Sequence, residues 1–422
     1  MSSAITEAGD PTSVVHEDTA PGAIPPQVGG PAADHPYRFL LRYGARTVAR
    51  TAEAATRAAG AAWWANARRP WAAPARTALW LSTMTDRAEP RFHLANRTSL
   101  ETDFARLRDF TLDEHRGDAV VPTLVLPPQA GHSSTVVDFA PGQSQLTSLR
   151  DSGLTRLYAL EWRAATPKTK RVTVEDYIEV IDRSIRRMGG RANLVGDCQG
   201  GWLAAIYATL HPQRVHTLTL AGAPIDFHAG ESVIAASTRA LSGRLGMAPY
   251  KALVAANGGN MSGAAVLGNF LMIQPQAEIS RQLQLLAHVD DPEHVERYRV
   301  FEDWFKHTQD VPGAFYLWLV DNLFRQNKLV RGELEVGGRP ARLEAIDCPV
   351  LLLAGATDHI TPPEQLFAIA DHVSTPESQI VKRTAAGGHL GLFTGHKALH
   401  HDWPALMDEV YRHSTTGITG VA

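Results

Sequence analysis

The stretch G-D-C-Q-G-G at residues 196–201 constrains the fold of this 422-residue chain more than any other feature. A short apolar run, Leu194 and Val195, precedes it, and an apolar, helix-forming stretch follows. Glycine is required at both second neighbours of Cys198 if a strand turns sharply into a helix there, because a Cβ atom would collide with adjacent backbone. The pattern therefore predicts a nucleophile elbow. Cys198 would stand at the helix N-terminus, where the helix dipole favours a thiolate.

Strand-like and helix-like segments alternate from about residue 119 onward. Six segments have a strand-like pattern, at residues 119–128, 157–162, 193–196, 217–222, 349–355 and 378–383. Helical patterns separate several of them, notably residues 173–188, whose apolar side chains recur every three or four positions. Such alternation is typical of an α/β protein with a doubly wound, mainly parallel sheet.

The composition predicts four regions. Residues 1–36 have few large apolar groups and are expected to form a disordered tail. An N-terminal helical region is expected at residues 37–118, with a short helix near residues 100–110. Residues 119–225 and 343–422 would form the α/β core. Between them the alternation gives way to Leu- and Ala-rich helical sequence, which predicts a helical cap at residues 226–342.

Arginines recur at every fourth position near the start of the N-terminal region, from Arg38 to Arg50, and Trp63, Trp64 and Trp71 follow. A basic helix that ends in aromatic residues could lie on a lipid or polymer surface. The favoured alternative is a surface helix whose apolar side packs on its own fold or on a dimer partner.

Two polar residues downstream complete the chemistry that Cys198 requires. Asp358 follows the run at 349–355, at the strand end where doubly wound sheets hold their sites. His389 lies in a glycine-rich loop after the next strand-like run. The chain order Cys, Asp, His is that of the α/β-hydrolase fold. We therefore expect His389 to take the thiol proton and Asp358 to orient the imidazole.

Backbone N–H groups at two places are candidates for an oxyanion hole. Gln199 directly follows the nucleophile, and Gln129 and Ala130 lie after the first strong strand, where this fold supplies its second donor. His132, two residues further on, is interpreted as a turn residue. His359 is a weaker candidate for the base, because its side chain should point away from that of Asp358 on a strand end.

Several classes of function and location are disfavoured. Lys and Arg number 41 against 44 Asp and Glu, a net charge of -3, so nucleic acid is not expected as a partner. No apolar run reaches the roughly 18 residues of a spanning helix. With two cysteines and no apolar signal core near the N-terminus, a cytoplasmic protein is expected. Neither a metal site nor a bound cofactor is predicted, because ligand-spaced clusters and phosphate-binding loops are lacking.

Three motifs resemble those of polyhydroxyalkanoate synthases, especially the shorter ones that act with a second subunit. They are G-D-C-Q-G-G at 196–201, A-G-A-T-D-H-I-T-P-P at 354–363 and G-G-H-L-G-L-F at 387–393. The resemblance implies transfer of 3-hydroxyacyl groups from coenzyme A thioesters to a growing polyester, with Cys198, Asp358 and His389 as the triad. Coenzyme A would enter only as part of the substrate. The resemblance also implies storage granules as a location, and a homodimer or second subunit.

The intracellular polyhydroxybutyrate depolymerases are similar to this chain in the cysteine triad and in P-Q-A-G-H at 128–132. The paired Gly200 and Gly201 favour the synthases. Asp197 departs from the synthase pattern, and a carboxylate turned inward there would oppose thiolate formation. Three functions remain open: a polyester-forming acyltransferase, a thiol hydrolase of polyesters or thioesters, and a non-catalytic protein that binds granules through its basic helix.

Overall fold

A computed structural model of the protein describes residues 36–416. The disordered tail predicted for residues 1–36 falls, apart from residue 36, outside the described residues. The chain forms two compact units. The smaller contains the described residues up to 88 together with residues 273–302, and the larger contains residues 89–272 and 303 onward.

An eight-stranded sheet forms the centre of the larger unit. Its strands are β1 Arg97–Glu101, β2 Ala105–Asp109, β3 Thr123–Leu126, β4 Leu157–Trp162, β5 Ala192–Asp197, β6 Val215–Ala221, β7 Val350–Gly355 and β8 Ile380–Ala385. They lie in the order β1-β2-β4-β3-β5-β6-β7-β8. The pairs β1/β2 and β2/β4 are antiparallel, and every later pair is parallel.

The central strands are continuous apolar runs because both faces of the sheet are covered. β3, β5 and β7 are buried along their whole length, as expected for parallel strands between two helical layers. The strand order and the antiparallel first strands are those of the α/β-hydrolase fold. The predicted fold class is confirmed.

The helices, in chain order, are α1 Pro36–Ala67, α2 Ala73–Thr85, α3 Gln145–Asp151, α4 Val174–Arg187, α5 Gln199–Leu210, α6 Val233–Leu245, α7 Ala248–Ala256, α8 Gly263–Ile273, α9 Pro275–Ala287, α10 Pro292–Lys306, α11 Gly313–Leu319, α12 Pro363–Phe367, α13 Gly391–Thr394 and α14 Trp403–Thr416. None of them, within the part of the chain that the structure describes, is both long and apolar enough to cross a membrane.

The predicted helix at 173–188 is α4. It begins with a capping box, in which the carboxylate of Asp176 accepts a hydrogen bond from the backbone N–H of Thr173 at 2.7 Å. Its apolar face, which includes Tyr177 and Ile181, is buried. The following helix, α5, is buried from Gly200 to Leu210, so it has no polar face to present to solvent.

The expectation of a helix near residues 100–110 is wrong, because these residues form β1 and β2. In β2, Ala105 and Leu107 are buried and alternate with Arg106 and Arg108 on the other face. Those arginines pair with acidic residues on neighbouring strands, Glu101 and Glu161 among them. The period of two was present in the sequence but extends over only five residues.

The smaller unit is built from α1, α2, α9 and most of α10. α1 packs along α9, and the hydroxyl of Tyr43 donates to the carbonyl of Ile273 at 2.8 Å. Leu285, Val289, Val295 and Tyr298 form its apolar core, against which Trp80 and Met84 pack. The segment predicted as a cap is largely helical, but its residues 273–302 pack with the N-terminal helices.

Candidate active site

The elbow predicted at Cys198 is present, between the end of β5 at Asp197 and the start of α5 at Gln199. Cys198 has φ 50° and ψ -113°, a left-handed conformation that is strained for any residue but glycine. A Cβ atom on Gly200 would lie 1.8 Å from the carbonyl oxygen of Leu126, and one on Gly201 would lie 2.3 Å from the Cβ of Ala223. The glycines are therefore required by the close contact of α5 with the flanking strands.

His389 and Asp358 lie together at the carboxyl ends of the strands. Nδ1 of His389 donates to Oδ2 of Asp358 at 2.7 Å, and both side chains are buried. The other carboxylate oxygen of Asp358 accepts from the backbone N–H groups of Ile360 at 2.9 Å and Thr361 at 2.8 Å. The two amides fix the carboxylate, and the carboxylate in turn fixes the imidazole, which leaves Nε2 available to the thiol.

The imidazole of His389 hydrogen-bonds to Cys198, which is half-buried. Burial by itself lowers the pKa of His389, but the charges of Asp358 and Cys198 and the hydrogen bonds to both raise that pKa well above its usual value. The surroundings of His389 therefore favour a positive charge on the imidazole, as a base that takes up a proton requires. The structure thus brings together the three residues that the sequence indicated.

Asp197 points into the protein and is fully buried. Its Oδ1 accepts a hydrogen bond from the side-chain amide of Gln145, at the start of α3, at 3.0 Å. Burial raises the pKa of Asp197 to about 8, against the opposing effects of Gln145 and of the charge on His389. At neutral pH the carboxyl group is largely protonated, so it adds little negative charge beside Cys198.

The three residues expected at the oxyanion hole lie on two adjacent segments. Gln199 is the first residue of α5, so its N–H has no acceptor within the helix. Gln129 and Ala130 belong to the loop at residues 127–133, which follows β3. The elbow lies against the start of this loop, since a Cβ atom on Gly200 would also lie 2.9 Å from the carbonyl oxygen of Pro127. The donor role of the three residues remains a prediction.

The cap holds this loop, here named the oxyanion loop, through contacts that the sequence did not predict. The N–H of Gln309 donates to the carbonyl of Gly131 at 2.8 Å. The indole Nε1 of Trp304 donates to the carbonyl of Ser133 at 2.9 Å. His132 is buried and stacks on Trp304 and Phe305, with ring centroids 5.1 and 5.5 Å away. His132 is therefore a packing residue between the oxyanion loop and the cap.

His359, the alternative candidate for the base, and Cys348, the second thiol, have surroundings that differ from those of His389 and Cys198. The backbone carbonyl of His359 accepts a hydrogen bond from the N–H of Val233 at 3.3 Å, at the start of α6. Burial raises the pKa of Cys348 to about 12, so at neutral pH this thiol is protonated. Among residues 36–416, no group of three or more His, Cys, Asp or Glu is arranged to hold a metal ion.

A family model matches residues 104–410, well over half of the chain. It is described as a protein of unknown function, DUF3141. The chain belongs to this family.

Curated relatives of the chain include poly(3-hydroxyalkanoate) polymerase subunits. The subunit PhaC of Haloferax mediterranei is 28% identical over 291 residues, which are 67% of this chain and 57% of that protein. That of Allochromatium vinosum is 26% identical over 257 residues, 59% of this chain and 70% of that protein. The resemblance to the polyhydroxyalkanoate synthases is confirmed. The alignment with the Haloferax subunit, however, covers less than two thirds of that relative.

The solved structures that resemble the chain include a carboxylesterase from Nitrososphaera gargenis. It is 17% identical, with a TM-score of 0.44, and the match covers 75% of this chain and 99% of that one.

Sequence reasoning missed Gln145 and the cap residues Trp304 and Gln309. Gln145 lies 52 positions from its partner Asp197, and Trp304 lies 171 positions from Ser133. The only local signal was the adjacent pair Trp304 and Phe305 within a polar helix. That signal does not show what the two rings contact.

Proposed function

We propose that the protein is a cysteine-dependent acyltransferase that transfers 3-hydroxyacyl groups from coenzyme A thioesters to a polyester chain. The proposal rests on the geometry at the elbow. Cys198 is hydrogen-bonded to His389, and His389 is hydrogen-bonded in turn to the buried Asp358. The similarity to poly(3-hydroxyalkanoate) polymerase subunits supports the substrate class.

In the first half-reaction, His389 accepts the thiol proton at Nε2 and the thiolate of Cys198 attacks the thioester carbonyl. The N–H of Gln199 and an amide of the oxyanion loop would stabilise the oxyanion, each donor contributing about 3 kcal/mol to the transition state. Collapse breaks the carbon–sulfur bond to coenzyme A, and the imidazolium of His389 protonates the departing thiolate. The acyl group is then a thioester of Cys198.

In the second half-reaction, the terminal hydroxyl of the polyester is the nucleophile. His389 takes its proton, the oxygen attacks the acyl-cysteine, and the thiolate of Cys198 is the leaving group. One ester bond forms for each coenzyme A released. We propose no metal or bound cofactor, because the triad supplies the proton transfers and the nucleophile.

The hydrolase alternative has the same first step and differs only in the second acceptor. The motif P-Q-A-G-H at 128–132 favours this alternative, because it is similar to the depolymerase motif. Water in place of the polyester hydroxyl would release a soluble 3-hydroxy acid.

The full chain should be incubated with 3-hydroxybutyryl coenzyme A and, separately, with amorphous polyhydroxybutyrate. We expect free coenzyme A and accumulating polymer in the first reaction, and an acyl adduct on Cys198 by mass spectrometry. Cys198→Ala should lower the rate by a factor on the order of 10³ or more. Cys348→Ala is the matched control, since it removes the other thiol of the chain, and it should leave the rate unchanged.

If soluble 3-hydroxy acids are released and no polymer forms, the transferase proposal is wrong and the hydrolase proposal is supported. If neither substrate reacts and alkylation of Cys198 is no faster than that of Cys348, both enzymatic proposals are wrong. The non-catalytic alternative would then stand.

A further inference from the structure

Helix α1 has one face packed on α9 and one face exposed. Ala58 and Ala62 on the packed face are each only 5% exposed. The other side presents large apolar groups: Leu41 is 74% exposed, Trp63 63% and Trp64 59%, and Trp71, just after the helix, is 78% exposed. Small residues of α1 thus form the contact with α9, and the tryptophans are exposed to solvent.

The same exposed side is strongly basic. Residues 36–72 contain seven arginines, from Arg38 to Arg69, and a single acidic residue, Glu53. All seven arginines are exposed. The exposed tryptophans and arginines of residues 36–72 are called here the tryptophan–arginine surface. It has a local excess of six positive charges on a chain whose net charge is -3.

We propose that the tryptophan–arginine surface docks on a membrane of anionic phospholipid. Tryptophan rings favour the boundary between headgroups and acyl chains, where the apolar ring is buried and the indole N–H stays hydrated. Arginines on the same helix face pair with anionic headgroups. Helix α1 would lie in the plane of the interface, as basic amphipathic helices do.

Other occupants fit less well. A second copy of the chain would bring two basic faces together, and like charges repel at short range. A polyester surface is uncharged and offers the arginines no counter-charge. Nucleic acid would pair with the arginines, but it gives Leu41 and Val48, which is 70% exposed, no apolar environment.

The test is flotation of the full chain with vesicles of phosphatidylcholine alone and with about one third phosphatidylglycerol. We expect binding to the anionic vesicles, at least about tenfold weaker binding to the neutral ones, and progressive loss of binding as salt is added. Tryptophan fluorescence should shift to the blue on binding. Cys198→Ala should bind like the wild type, so this inference does not depend on catalysis.

Substitutions test the arginines and the tryptophans of the surface separately. Arg46→Gln and Arg50→Gln should each lower vesicle affinity about fivefold at low salt. The triple change Trp63→Ser, Trp64→Ser and Trp71→Ser should abolish the fluorescence shift. The matched control changes exposed apolar residues elsewhere, Leu245→Ser and Met272→Ser, which are 63% and 76% exposed, and it should bind normally. Circular dichroism checks that every variant is folded.

Equal binding to neutral and anionic vesicles would overturn the proposal. So would binding to polyester particles or RNA in place of vesicles, or a dimer that the tryptophan variant dissolves. The 35 residues before α1 contain acidic residues and neither lysine nor arginine. If the protein binds vesicles only after these 35 residues are removed, the tryptophan–arginine surface is the docking site of that segment and not of a membrane.

Discussion

Asp197 and Gln145 form a buried polar pair directly beside Cys198. One carboxyl oxygen of Asp197 and the amide oxygen of Gln145 have no hydrogen-bond partner. Both atoms are acceptors while the carboxyl group is ionised. Burial favours the protonated carboxyl group and outweighs the hydrogen bond from the Gln145 amide, which favours the ionised form.

This pair predicts how stability depends on pH. The native state keeps the Asp197 proton up to a pKa of about 8, whereas the ordinary pKa of an aspartate is 3.8. Between those values the unfolded chain binds fewer protons, so the free energy of unfolding falls as pH rises. Asp197→Asn removes this dependence. Relative to the wild type, the variant should gain stability from pH 4 to pH 8, on the order of 1.4 kcal/mol for each pH unit between the two pKa values.

Denaturant unfolding at several pH values measures this difference. Asp182→Asn serves as the control. Burial by itself would raise the pKa of Asp182, but the hydrogen bonds from Arg186 and Tyr207 and the nearby arginine charges together lower that pKa. The contribution of ionised Asp182 to the free energy of unfolding is lost as pH falls, so its pH dependence has the opposite sign to that of Asp197. Parallel curves for the wild type and Asp197→Asn would contradict the protonated state of Asp197.

At the scale of elements, the oxyanion loop depends on the cap for its position. β3 and the indole of Trp162, which donates to the carbonyl of Pro127 at 2.8 Å, hold the start of the loop. Trp304 and Gln309 of the cap hold its end. A donor amide must lie within a few tenths of an ångström of the developing oxyanion to stabilise it. The cap is therefore expected to affect the chemical step.

Trp304→Phe tests this expectation. The change keeps an aromatic ring against His132 but removes the hydrogen bond to Ser133. We expect kcat to fall about tenfold with little change in KM, because the loop amide proposed as a transition-state donor would be displaced. Coenzyme A release measures both constants.

Trp80→Phe is the control for that change. The indole of Trp80 donates to the carbonyl of Gln282 at 3.0 Å within the smaller unit, so the control loses the same kind of hydrogen bond. It should leave kcat unchanged. An unchanged kcat in Trp304→Phe would show that the cap does not position the loop.

At the scale of the whole molecule, the smaller unit has its own stabilising residue. Arg76 is buried, forms an ion pair with Asp290, and donates to the carbonyls of Leu286 and Ala287 at 3.0 and 3.2 Å. These carbonyls lie at the C-terminus of α9, where a cation is favoured. Nε of Arg76 also bonds to Asn66 on α1 at 3.1 Å. One side chain thus joins α1, α2 and α9.

Arg76→Met should destabilise the smaller unit by about 2–3 kcal/mol, since it leaves two helix carbonyls and the side chain of Asn66 without their donor. Hydrogen exchange should show faster exchange in α1 and α9, with the central sheet unaffected. Arg57→Met is the control, because Arg57 forms an exposed pair with Glu53 at 3.4 Å, worth at most about 1 kcal/mol. Equal effects of the two changes would contradict the assigned role of Arg76.

Several elements were predictable because their signals are local. The predicted strands at 157–162 and 349–355 appear at Leu157–Trp162 and Val350–Gly355, and the helix at 173–188 appears at Val174–Arg187. In each of these elements the apolar residues follow a single pattern without interruption, a continuous run in the strands and a helical period in the helix. The hairpin of β1 and β2 was missed because its strands are short and its pairing partner, β4, lies more than 50 positions away.

The sequence by itself determined the elbow, the meeting of Cys198, Asp358 and His389, and the parallel sheet. Glycine spacing and apolar runs act within a few residues, and the carboxyl ends of parallel strands necessarily meet at one edge. Only the tertiary structure decided that Asp197 is buried against Gln145, that the cap holds the oxyanion loop and that residues 273–302 pack with α1. These contacts join distant parts of the chain, and their burial and charge state depend on packing that no local window of sequence contains.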